Sequence, residues 1–169
     1  MTPPKFLYFD LGNVLLTFDV GVMCNQIAEV AGVGPDRVRE VVYHSGLQSR
    51  YERGAITSRD FYEAFSAASG TRPAFDALLH AASDIFQLRV SMLPVVSQLQ
   101  QAGYRLGILS NTCECHWEHC LRQFRVLRDT FAVYALSYEL KACKPEPAIF
   151  RAAAELAGVR PGEIFFADD

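Results

Sequence analysis

The stretch Phe6-Leu7-Tyr8-Phe9-Asp10-Leu11-Gly12-Asn13 runs through four bulky, mostly apolar residues and breaks on a carboxylate. A continuous run of this length suits a strand buried on both faces of a parallel sheet, because a strand with one wet face would alternate. Two other stretches share the design. Arg105-Leu106-Gly107-Ile108-Leu109 leads into Ser110 and Asn111, and Ile164-Phe165-Phe166-Ala167 leads into Asp168 and Asp169. A fourth strand is expected within Phe131 to Tyr138, FAVYALSY.

Helical patterns separate these runs. Val95, Val96 and Leu99, with the glutamine-rich face from Ser97 to Gln101, form an amphipathic helix stopped by Gly103. Ala148 to Ala157 is introduced by Pro145 and Pro147 and ended by Gly158. Strands alternating with helices indicate an α/β fold, a doubly wound parallel sheet with a Rossmann-like core. The segment from about Asp19 to Leu88 differs, for it shows no convincing strand. It reads as helices over Val20 to Ala31, Asp36 to Tyr43, Ser58 to Ala68 and Ala74 to Ile85, punctuated by Gly32, Gly34, Gly54 and Gly70. The core is therefore expected over residues 1–17 and 90–169, with a helical insertion over 18–89 after the first strand.

Composition limits the rest. The 169 residues are half hydrophobic and about a fifth charged, the balance of a globular chain. Net charge is -3 with no long basic run, which argues against nucleic acid or an anionic membrane as partner. No apolar stretch approaches the ~20 residues that span a bilayer. The apolar run near the N-terminus is too short for a secretory signal, so the five cysteines read as reduced thiols in a cytoplasmic protein.

In open parallel sheets, ligands bind beyond the carboxyl ends of the strands. Asp10, Ser110, Asp168 and Asp169 all stand at such ends, and Lys144 lies in the loop after the fourth strand. Each alone is an ordinary turn or capping residue. Together they form a coherent oxygen-rich site. Clustered carboxylates need a counter-charge, and carboxylates with a phosphate suit Mg²⁺. Lys144 adds positive charge, Ser110 adds a hydroxyl, and Asp10 is placed to attack phosphorus.

These four motifs, in this order, resemble those of the haloacid dehalogenase-like hydrolases. FLYFDLGNVLL resembles the first motif, with Asp10 as nucleophile. LGILSNT resembles the second, with Ser110 binding phosphate and Asn111 beside it. KPEPAIF resembles the third through Lys144, and FFADD the fourth through Asp168 and Asp169. The resemblance implies a magnesium site made by Asp10, the backbone carbonyl of Gly12 and the acidic pair. It also implies that the insertion is a small all-helical cap that helps select substrate. YERGAITSRDFYEAF and LSNTCECHWEHC are similar to the branch that dephosphorylates small phosphate esters. The implied activity is a magnesium-dependent phosphomonoesterase on a small phosphorylated metabolite.

Two departures bear on this reading. Most phosphatases of the superfamily carry an acid/base aspartate where this chain has Gly12, so the proton must come from a cap residue, water or the leaving group. The family also continues past a position equivalent to Asp169, so the C-terminal part of the core is expected to be missing, leaving a sheet edge uncovered and metal binding weakened. A non-catalytic phosphate-binding relative is one alternative. A metal-independent 2-haloacid dehalogenase is another, against which stands the lack of a bulky aromatic residue at Gly12 and of an arginine soon after.

Within the insertion, Arg50, Tyr51 and Arg53 are candidate specificity groups, with a solvated helix end as the plain alternative, and His44 is a candidate proton donor. Lys141 reads as a surface residue. Cys113, Cys115, His116, His119 and Cys120 match no usual zinc spacing and read as a helix with incidental thiols.

Overall fold

A computed structural model describes residues 3–169. Its main sheet is parallel, built from β1 (Phe6–Phe9), β4 (Arg105–Ser110), β5 (Val133–Leu136) and β6 (Ile164–Ala167), in the spatial order β5-β4-β1-β6. The central strand β1 shows why its sequence does not alternate. Leu7 and Phe9 join Leu106, Ile108 and Trp117 on one face, while Phe6 and Tyr8 join Leu109, Ala135 and Ile149 on the other. Both faces are covered, as a doubly wound sheet requires. Helices α6 (Met92–Gln101), α7 (Glu114–Gln123) and α8 (Arg125–Thr130) contribute to the first layer, and α10 (Pro147–Ala157) to the second. Gly107 permits the aromatic packing on β1. A Cβ there would stand 2.7 Å from the Tyr8 ring and 2.8 Å from the Phe6 ring. Tyr8 also donates a hydrogen bond to the Ala153 carbonyl at 2.8 Å, joining strand to helix.

Between β1 and β4 lie α1 (Val20–Ala31), α2 (Pro35–Arg39), α3 (Leu47–Glu52), α4 (Ser58–Ser69) and α5 (Phe75–Ser83). Asp19 caps α1 by accepting from the backbone N–H groups of Gly21 and Val22, and Gly32 ends it in the left-handed conformation. Thr57 and Asp60 form a reciprocal capping box on α4. Met23, Ile27, Val42, Phe61, Phe65 and Leu78 are buried within a hydrophobic cluster of these helices.

Four local expectations need correction. The region before Leu88 does hold a strand. β3 (Phe86–Leu88) pairs antiparallel with β2 (Leu16–Phe18), matching Leu16 with Leu88 and Phe18 with Phe86. Three half-buried residues carry too little pattern to mark a strand, and the pairing joins segments some 70 residues apart, so local sequence does not announce it. The helix expected from Asp36 to Tyr43 changes pitch after Arg39 into a π-helical turn, Glu40–His44. Helix α3, which ends at Glu52 with Arg53 as its C-cap, is absent from the expected helices; at about one and a half turns it is too short to show a period. The expected strand over Phe131 to Tyr138 is also shorter, because Ser137–Leu140 turns into the helix α9.

No helix among the described residues is long and apolar enough to cross a membrane.

Candidate active site

Parallel pairing brings the carboxyl ends of β1, β4 and β6 to one edge. Phe9 lies opposite Ile108 on one side and Ala167 on the other, so the next residues along each strand converge. The Asp10 N–H donates to the Ala167 carbonyl at 2.9 Å, which continues the ladder one residue beyond β1. Carboxylate oxygens of Asp10, Asp168 and Asp169 consequently lie within 4.8 Å of one another, although the sequence separates them widely.

The loop after Asp10 is held by its own backbone. Leu11 N–H donates to Asp10 Oδ1 at 2.7 Å. The N–H groups of Leu15 and Leu16 both donate to the Leu11 carbonyl, and Asn13 N–H donates to the Leu16 carbonyl. Asn13 takes a positive φ of 56°, a conformation asparagine tolerates better than most side chains. Its side-chain amide then donates to Asp169 Oδ2 at 3.0 Å, joining the first strand-end loop to the acidic pair. Gly12 lies under an aromatic ring, for a Cβ there would stand 2.9 Å from Phe18.

Lys144 completes the cluster from the far side of the sheet. Its ammonium is 3.0 Å from Asp10 Oδ2 and 2.9 Å from Asp168 Oδ1, with only 12% of the side chain exposed. Asn111 sets this lysine's position. Its side-chain Oδ1 accepts from the Lys144 N–H at 2.7 Å and its Nδ2 donates to the Lys144 carbonyl at 3.0 Å. The Asn111 side chain is therefore spent on loop placement, and Ser110, buried at the end of β4, is the hydroxyl beside Asp10.

Burial pushes the Asp10 carboxyl above its ordinary value, opposed by Lys144, the Ser110 hydroxyl and the Leu11 N–H. Burial acts upward on Asp168 too, but there the hydrogen bond and charge of Lys144 prevail and hold it below the usual carboxylate range. One ammonium thus pairs with two of the three clustered carboxyl groups. The remaining negative charge and the all-oxygen donor set fit a hard divalent cation such as Mg²⁺.

A cavity of about 120 Å³ opens beside this cluster. Gly12, Ser110 and Asn111 line its floor, and Tyr43, Gln48 and Glu52 line it from the helical insertion. His44, Arg50 and Arg53 do not line it. On α3, residues 48 and 52 are one turn apart on the same face, which leaves 50 and 53 on other faces. His44 and Arg50 are exposed, while Arg53 pairs with Glu146 at 2.6 Å. Lys141 is exposed, as expected, and donates to the Gly54 carbonyl at 2.7 Å. Sequence reading missed Gln48 and Glu52; their i,i+4 polar pairing beside the buried Leu47 and Tyr51 becomes a signal only once α3 is known.

Larger hollows lie elsewhere. One of about 470 Å³, lined by Asp76, His80, Glu118 and His119 among others, holds none of the strand-end residues. The cysteine-rich segment is buried at the start of α7. Cys113, Cys115 and His116 place potential ligand atoms within 4.8 Å of one another. His116 Nε2 already meets the Ala82 carbonyl at 3.0 Å, and the two sulfurs are 3.8 Å apart. His119 instead faces Asp84 at 3.7 Å, and all five cysteines are free thiols.

The sequence matches the haloacid dehalogenase-like hydrolase family over residues 5–169. The chain belongs to this family. This haloacid dehalogenase-like hydrolase is similar in structure to the HAD family enzyme BT-2542 of Bacteroides thetaiotaomicron, with a TM-score of 0.86 and 27% identity over 99% of this chain and 85% of that one. A second structure of BT-2542, a complex with magnesium and inorganic phosphate, gives 0.84 and 28% identity over 96% of this chain and 83% of that one. The L-2-haloacid dehalogenase of Xanthobacter autotrophicus shares the fold at a TM-score of 0.65 and 20% identity, over 96% of this chain and 69% of that one. The hydrolase's α/β architecture with a parallel sheet is thus that of the family.

Proposed function

We propose that this hydrolase is a magnesium-dependent phosphomonoesterase that attacks a small phosphorylated metabolite through Asp10. The observation that carries the reading is the strand-end cluster, in which Lys144 bridges Asp10 and Asp168 while Asp169 closes the carboxylate group. The magnesium and phosphate bound together by BT-2542 support the same ligand chemistry here.

Asp10, the Gly12 carbonyl, Asp168 and Asp169 would hold Mg²⁺, which when bound neutralises carboxylate and phosphate charge and lets two anions approach. Lys144 and Ser110, with Asn111 fixing the lysine's loop, would hold the phosphoryl oxygens. Asp10 attacks phosphorus, the bond to the leaving oxygen breaks, and water later cleaves the aspartyl-phosphate. Residues 18–89 would act as the cap and 1–17 with 90–169 as the core. A hydrophobic cluster drawn mostly from the inserted helices, which Cys113 and Cys115 of the core also join, and the paired crossing strands β2 and β3 support this division. Free, largely buried thiols fit a reducing, cytoplasmic setting.

Phe18 over Gly12 gives the non-catalytic alternative its footing, since no side chain at that position can serve as acid or base. The decisive assay is magnesium-dependent phosphate release from 4-nitrophenyl phosphate. The wild-type chain should turn it over, and both a chelator and Asp10→Asn should abolish this. Full activity in the Asn variant refutes the nucleophile assignment. Tight beryllofluoride binding without turnover on any phosphate ester would favour the phosphate-binding relative.

A further inference from the structure

Resting on the phosphatase reading, we infer that Glu52, reaching the cavity from α3, is the group that protonates the leaving oxygen and then takes a proton from the attacking water.

Expelling an alkoxide needs a proton, and the strand-end cluster has none to offer. Asp10 is the nucleophile, Lys144 sits between Asp10 and Asp168, and Asp169 accepts from Asn13. Gly12 contributes no side chain, and the Phe18 ring fills the space above it. Glu52 is the carboxyl group that lines the cavity from the opposite wall.

Its position is anchored. The Glu52 carbonyl accepts from Ser137 Oγ at 2.6 Å, Arg53 pairs with Glu146, and the Gly54 carbonyl accepts from Lys141. Three successive residues are therefore tied to the segment from Ser137 to Glu146, which also carries Lys144. Gln48 donates to Glu52 Oε1 at 2.9 Å, orienting the carboxyl and leaving its second oxygen for substrate. Tyr43, Cys113, His116 and Cys143 are the titratable groups around it. Burial raises Glu52 above its ordinary value, against the opposing Gln48 hydrogen bond and His116 charge, which favours the protonated acid. His116 is less suited to donate. Its Nε2 is engaged with the Ala82 carbonyl at 3.0 Å.

The proton count closes over a full turnover. Asp10 forms a bond to phosphorus as the leaving oxygen departs with its electron pair and takes the Glu52 proton, giving an alcohol and a Glu52 carboxylate. Water then attacks phosphorus and yields a proton to Glu52, while the Asp10–phosphorus bond breaks and returns its electrons to the aspartate. Phosphate leaves, and Glu52 is again protonated.

The test pairs Glu52→Gln, which keeps the shape and the Gln48 contact, with two esters of similar size. Phenyl phosphate has a leaving group of pKa about 10, whereas 4-nitrophenyl phosphate leaves readily unassisted. On phenyl phosphate the variant should lose about 10²-fold or more in kcat/KM. On 4-nitrophenyl phosphate it should keep a pre-steady-state burst of nitrophenolate within about threefold of wild type, followed by slow turnover, because only the water step needs the base. Wild type should lose kcat/KM for phenyl phosphate at alkaline pH, and Glu52→Asp should retain that limb while Glu52→Gln abolishes it. An equal loss on both esters, with the alkaline limb preserved, overturns the role of Glu52 alone. Wild-type protein inactive on both overturns the phosphatase reading and this role with it.

Discussion

Gly54→Ala probes the junction on which the site's geometry depends. Gly54 has a φ of +64°, and an added Cβ would stand 2.0 Å from the Tyr138 carbonyl oxygen and 2.7 Å from Lys141 Nζ. Holding alanine in the left-handed region costs about 1–2 kcal/mol. The lysine end can swing away, but the Tyr138 oxygen is backbone and must retreat by about 1 Å to reach a tolerable contact. That movement stretches the bond from Lys141 to the Gly54 carbonyl, worth about 1 kcal/mol at an exposed site. The two terms sum to roughly 2–3 kcal/mol, or about 4–12 °C in melting temperature for a chain of this length. Gly70→Ala is the control. Its φ is +76°, but nothing lies within 4 Å of the added Cβ, so it carries the backbone cost alone. Thermal melting and urea midpoints of both variants measure the difference. Gly54→Ala should also lower kcat/KM in protein that remains folded, since Glu52 lies two residues away. Equal destabilisation by the two substitutions would refute the argument that Gly54 is needed for close approach.

Two further outcomes follow from the charge arrangement. Lys144→Met strands the carboxylates at 3.0 and 2.9 Å from the lost ammonium. It should reduce kcat by about 10²–10³-fold in phosphate-release assays, and the variant should lose stability relative to wild type as pH rises and Asp10 ionises without its partner. Glu52→Gln bears on stability independently of activity. Because burial raises the folded-state value of Glu52, the wild-type contribution from its neutral form is complete below the unfolded value and is lost as pH rises through the folded one. Melting curves of the variant should therefore match wild type in acid and lie above it at neutral and alkaline pH; a gap that narrows as pH rises would contradict the burial argument.

The strands of the main sheet and their polar ends were legible because burial on both faces writes an uninterrupted apolar run in β1 and β4, although the edge strand β6 carries such a run with Phe165 exposed. Asp10, Ser110 and Asp168 are each the polar residue that ends such a run. Parallel pairing then makes their convergence a consequence of topology. Lys144 was legible as the lysine of a motif-like loop, but its 12% exposure and the Asn111 grip on its backbone are tertiary.

The helical insertion divides differently. Its longer helices carry a readable period and clear caps, as Asp19 and Thr57 show. Which of its residues face the site could not be read, because that depends on the rotational setting of α3, a helix of six residues following the π-helical turn at Glu40–His44. Local sequence therefore pointed to His44, Arg50 and Arg53, whereas tertiary packing turned Tyr43, Gln48 and Glu52 toward the cavity. The sequence by itself determined the sheet, its order of chemistry-bearing ends and the family. Only the tertiary structure decided the partner wall of the site, since contacts between elements distant in the chain leave no periodic trace in either one.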